Sequence, residues 1–110
     1  MTDQLGHRAR IAIVVPSTNT SCQPESEMLR PLGVTNQTGR ISIKERPLTS
    51  DQAFMEHVQA MRDGMRTAID QVMTCQPTHV IMGVALEAFW GGVAAADELQ
   101  RELTERAGVG

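Results

Sequence analysis

Arg10-Ile-Ala-Ile-Val-Val-Pro16 is a short apolar run with a β-branched majority, closed by a proline, and its reading decides the fold. So short a run, apolar at consecutive positions, fits a strand covered on both faces rather than a helix, which would need a longer stretch with a 3.6-residue period. Doubly covered strands belong to parallel sheets whose crossovers are helical. Ser17-Thr-Asn-Thr-Ser21, a polar loop, follows directly. Pro24 opens a short helix through Arg30 with Glu25 and Glu27 near its positive end, and Pro31-Leu-Gly33 stops it.

Further out, Ile41 and Ile43 alternate with Ser42 and Lys44, the period of a half-buried strand. Thr49 and Gln52 have the spacing of a capping box. Phe54, Val58, Met61, Met65, Ala68, Ile69 and Val72 then recur at steps of three and four, the buried stripe of a long helix that ends near Cys75 and Pro77. His79-Val-Ile-Met-Gly-Val84 is a third strand, and with Ile11–Val15 it is expected to be an inner one. Val93, Ala96, Leu99, Leu103 and Ala107 trace a last helix, with Gly108 placed to cap it. Residues 1–110 thus read as one α/β domain, a small parallel sheet flanked by helices, behind a flexible N-terminus over residues 1–9. Such a sheet has an apolar edge that something must cover.

Composition narrows the function. Ten Lys plus Arg against 13 Asp plus Glu leave no basic field for nucleic acid. Apolar runs of about five residues fall short of the roughly 20 that cross a bilayer, so no membrane partner is expected. The first ten residues lack the apolar core of a secretory signal, and the expected location is the cytoplasm. Cys22 and Cys75 form neither a disulfide framework nor a zinc cluster, and His7, His57 and His79 lack metal-ligand spacing, so no metal site is expected.

Ligands of parallel sheets bind beyond the carboxyl ends of the strands, where two loops stand. In the first, the hydroxyls of Ser17, Thr18, Thr20 and Ser21 and the Asn19 amide either cap a helix or hold a carboxylate or phosphate. The second, Ala85-Leu-Glu-Ala-Phe-Trp-Gly-Gly92, offers Phe89 and Trp90 as pocket walls or core, Glu87 as an acid or base, and a glycine pair open to an anion. Cys22, beside a helix start, is the better placed thiol, and Cys75 reads as a buried or half-buried apolar filler.

Arg10-Ile-Ala-Ile-Val-Val-Pro-Ser-Thr-Asn-Thr20 resembles the opening of maleate cis–trans isomerases and arylmalonate decarboxylases, of the aspartate/glutamate racemase superfamily, and His79–Gly92 resembles their third-strand loop. The resemblance implies a flavodoxin-like half of a two-half enzyme. Cofactor-independent cysteine chemistry on small dicarboxylic acids would take place between the halves. It implies that Pro16, Ser17 and Asn19 belong to the loop that binds the substrate carboxylate. Val84 falls at the first half's cysteine position, and Ala85 and Leu86 fall where hydroxyl residues donate to the carboxylate. A valine neither donates a proton nor attacks, and the second half is expected to be absent, so the isolated chain is expected to be inactive. The alternative is a non-catalytic small-acid-binding or oligomerisation module. Either way, a small carboxylic acid as ligand, self-association into a homo-oligomer and no cofactor are expected.

Overall fold

A computed structural model describes residues 4–44, 47, 49–83 and 92–110, with the backbone alone for 92–96. Three strands, β1 (Ala9–Pro16), β2 (Val34–Ile41) and β3 (His79–Met82), alternate with three helices, α1 (Cys22–Leu29), α2 (Asp51–Met73) and α3 (Gly92–Ala107). The strands form one parallel sheet in the order β2-β1-β3. Ala9 pairs with Val34 and Pro16 with Ile41, so β1 and β2 run together over their full length, whereas β3 covers only Ile11 to Val14.

The central strand is β1, as its sequence demands. Ala12, Ile13, Val14 and Val15 are all buried, which is possible only with cover on both faces. Ala12 and Val14 join Ile41 and the α2 stripe of Met61, Met65, Ala68, Ile69 and Val72 in the core, and α3 adds Leu103 and Ala107. Ile13 and Val15 point to the opposite face, as alternation requires. Gly39 and Gly64 let α2 lie close on β2. A Cβ on Gly39 would strike Val72 Cγ1, and one on Gly64 would stand 2.6 Å from Ile41 Cγ2.

Several boundaries differ from expectation. The second strand is Val34–Ile41, so of the Ile41–Lys44 alternation only Ile41 belongs to it. Its Thr-Asn-Gln-Thr-Gly interior carries no apolar signal because pairing with β1, not side-chain burial, makes it a strand. Ser50, not Thr49, caps α2: its hydroxyl oxygen accepts from the Ala53 N–H at 3.1 Å, and the Thr49–Gln52 box does not form. Among the described residues the third strand is an edge strand, not an inner one, and Ile81 is 52% exposed on it. Cys75 lies past the end of α2 in a turn and is exposed rather than packed. Ala9 opens β1, and the Arg8 N–H donates to the Gly33 carbonyl at 2.8 Å, so the ordered strand reaches into the stretch read as an N-terminal extension. Gly108 does cap α3, with φ +75° and its N–H donating to the Thr104 carbonyl at 2.8 Å.

Candidate functional site at the carboxyl ends of the strands

The carboxyl ends of β1 and β2 lie side by side, because Pro16 is in register with Ile41. The chain leaving β1 is therefore held against the chain leaving β2. Ser17 N–H donates to the Ile41 carbonyl at 2.7 Å, and the Ile43 N–H donates to Ser17 Oγ at 2.9 Å. Ser17 thus anchors two chain exits, and its hydroxyl hydrogen remains available to donate.

Asn19 caps α1. Its Oδ1 accepts from the Ser21 and Cys22 N–H groups at 3.1 and 2.8 Å, which satisfies donors that the helix start leaves unpaired. Capping, one of the two roles open to this loop, is thereby filled by Asn19. Its Nδ2 makes no hydrogen bond among the described residues.

Arg40 completes the arrangement. Its neighbours Gly39 and Ile41 face α2, so alternation sends Arg40 to the other face, over the loop. There Nη1 donates to the Asn19 carbonyl at 2.9 Å, with the Pro16 and Ser17 carbonyls at 3.5 Å, and Nη2 donates to Gln23 Oε1 at 2.8 Å. Of the five guanidinium N–H groups, Nε–H and a second Nη2–H keep no acceptor among the described residues. A wide, open depression of about 610 Å³ lies between Ser17, Asn19, Thr20, Gln23, Glu27 and Arg40. Glu27 on its far wall is engaged by Arg30 Nε at 3.1 Å and Asn36 Nδ2 at 3.2 Å, which offsets its charge there.

The structure thus brings Pro16, Ser17 and Asn19 together at one rim and adds Arg40, which sequence reasoning missed. The signal for Arg40 was a cation one residue before Ile41, readable only once β2 is known to end at Ile41. Ala85 and Leu86, the other two expected binding residues, lie outside the described residues, as do Val84, Glu87, Phe89 and Trp90. Cys22 is half-buried at the first turn of α1, with Sγ 3.3 Å from where a Gly83 Cβ would stand. His57 is half-buried beside Ser42, Ile43 and Lys44, apart from this rim. Among the described residues, no three His, Cys, Asp or Glu side chains converge as a metal site would require. No helix among them is long and apolar enough to cross a membrane.

In comparisons with protein-family models, curated proteins and solved structures, nothing matches this chain.

Proposed function

We propose that the rim of Ser17, Asn19, Thr20 and Arg40 binds a small carboxylic acid, and that the chain is a member of the maleate isomerase and arylmalonate decarboxylase group. The single observation that carries this reading is Arg40. Its guanidinium lies across the loop at the carboxyl ends of β1 and β2 and keeps N–H donors in hand above Ser17 and Asn19. A planar, permanently charged fork beside a hydroxyl and an amide is suited to a carboxylate, and charge-assisted bonds of this kind are roughly twice as strong as neutral ones.

The chain alone supplies binding and no turnover in this reading, since Val84 stands where the resemblance requires a cysteine. Two free thiols and no disulfide suit a reducing, cytoplasmic compartment. Titration with malonate and maleate, followed by amide NMR, tests the reading. Shifts confined to Ser17–Cys22 and Arg40 support it, and an unperturbed loop at millimolar ligand overturns it.

A second role rests on a separate observation. Met28, Leu29 and Leu32 are 85%, 84% and 87% exposed at the end of α1 and the turn after it. Large apolar side chains clustered on a small domain mark a contact surface, and they support self-association of the chain.

A further inference from the structure

We propose that the acid held by this rim carries an ammonium group at the far end of its chain, an ω-amino carboxylate, with its carboxylate on Arg40 and its ammonium on Glu27. The inference rests on the reading of the rim as a carboxylate site and names which acid fits it.

The depression between α1 and β2 is lined by two charged side chains among the described residues, Arg40 and Glu27, and they are opposite in sign. They do not close on each other. Arg40 donates to the Asn19 carbonyl and to Gln23 Oε1, whereas Glu27 accepts from Arg30 Nε at 3.1 Å and from Asn36 Nδ2 at 3.2 Å.

The two elements set the separation. Asn36 and Arg40 are four residues apart on β2 and share one face of it, with Arg40 nearer the carboxyl end. On α1, Gln23 and Glu27 are also four apart, which puts about 5–6 Å between their Cβ atoms on one helix face. Arg40 is fastened to the first of this pair and Asn36 to the second. Cation and carboxylate therefore stand about one helical turn apart, roughly 5 Å, beside the same open space.

Both keep capacity for a ligand. Arg40 has Nε–H and a second Nη2–H without an acceptor among the described residues. Arg30 uses Glu27 Oε2 and Asn36 uses Oε1, and an ionised carboxylate offers about four acceptor positions. The Glu27 side chain is 46% exposed, and a surface pair such as Arg30–Glu27 contributes only about 0–1 kcal/mol, too little to cancel the carboxylate as a partner.

Sign and spacing then select the acid. A dicarboxylate reaching across from Arg40 sets its second charge against Glu27. An α-amino acid has the right charges, but its ammonium lies beside its carboxylate and falls short of Glu27. In extended 4-aminobutyrate, the carboxyl carbon and the ammonium nitrogen are four bonds apart, about 5 Å at the reach of an extended chain. Pro24 lines the same depression and offers its ring to the methylenes between the two charges.

The test titrates the whole chain with 4-aminobutyrate, with pentanoate, which has a methyl in place of the ammonium, and with the isomer 2-aminobutyrate, following the amides of Ser17–Cys22 by NMR. 4-Aminobutyrate is expected to bind about threefold more tightly than either, the size of an exposed charge pair. Glu27→Gln removes that preference and leaves pentanoate affinity unchanged, which also shows that the rim is still formed. On the unaltered chain, 4-acetamidobutyrate, with its ammonium blocked, binds no better than pentanoate, so the result does not hang on the variant. Equal binding of pentanoate, equal binding of 2-aminobutyrate, or a preference that survives Glu27→Gln overturns this inference alone when malonate still shifts the loop. A loop unmoved by every one of these acids, malonate and maleate included, overturns the acid-binding reading and this inference with it.

Discussion

A guanidinium that donates at once to the Asn19 carbonyl of the loop and to the Gln23 side chain of α1 does two things. It fixes the loop, and it leaves positive charge above it. Arg40→Gln removes both, because an amide cannot span Asn19 and Gln23 together. For an exposed site the expected loss is about three- to tenfold in malonate affinity and about 1 kcal/mol in stability, checked by titration and by urea unfolding. The second single-residue prediction concerns Gly64. Alanine there gains about 1 kcal/mol in helix propensity, yet its Cβ would come within 2.6 Å of the fully buried Ile41. Overpacking costs about 1–3 kcal/mol, so Gly64→Ala is expected to lower stability by about 1 kcal/mol net. A gain on urea unfolding would mean that α2 sits less tightly on β2 than the glycines imply. Ser17 and Asn19 were legible because loop hydroxyls and amides after an apolar strand advertise themselves by type. Arg40 and Gly64 were not: an arginine in a polar segment and a glycine inside a helix acquire meaning only from what the register sets opposite them.

Between elements, the α2–α3 pair shows how charge finishes what apolar packing begins. Arg66 Nε reaches Glu102 at 2.7 Å, and Arg106 grips Asp70 with both Nε and Nη2, at 2.9 and 2.7 Å. Hydrogen bonds from Arg66 and Arg106 hold the Glu102 and Asp70 carboxyls below the ordinary carboxylate range. A carboxyl whose folded pKa is depressed contributes stability above its unfolded pKa and loses that contribution as pH falls through the folded one. Thermal stability is therefore expected to decline as pH drops below the normal Asp and Glu range, and the Asp70→Asn, Glu102→Gln double variant should show a shallower acid decline. An unchanged acid slope in differential scanning calorimetry would remove these pairs from the account. Legibility follows the same division. The α2 stripe from Val58 to Val72 was readable because six buried residues keep one period. The second strand was not, because its burial pattern is intermediate from Val34 to Thr38 and its pairing with β1 leaves no trace in side-chain type. The third strand looked internal because His79–Val84 is apolar, but an apolar sequence cannot distinguish a strand flanked by two partners from one paired on a single side.

At the scale of the molecule, the two faces of the sheet are finished unequally. One carries α2 and α3 with a continuous core, while α1, on the side of Ile13 and Val15, buries none of its own residues. Met28, Leu29 and Leu32 instead point their side chains to solvent. A leucine moved from water into a packed contact contributes about 1.5–3 kcal/mol, so three such side chains on each of two copies supply a driving force in the range that weak association requires. A two-fold interface repeats the same patch on both copies, and a self-complementary apolar patch needs no other partner. Sedimentation velocity is expected to give a concentration-dependent dimer for the whole chain. The Leu29→Glu, Leu32→Glu variant should be monomeric at the same concentration, because four like charges would then meet across the axis. Both substitutions are at exposed sites away from the Ser17–Arg40 rim, so malonate titration of that variant should match the parent. A parent chain that stays monomeric at the highest soluble concentration would rule out self-association through α1, and a variant that still dimerises would move the interface elsewhere. If the variant loses both association and acid binding, the rim is completed across the dimer axis, and binding belongs to the pair rather than to the single chain.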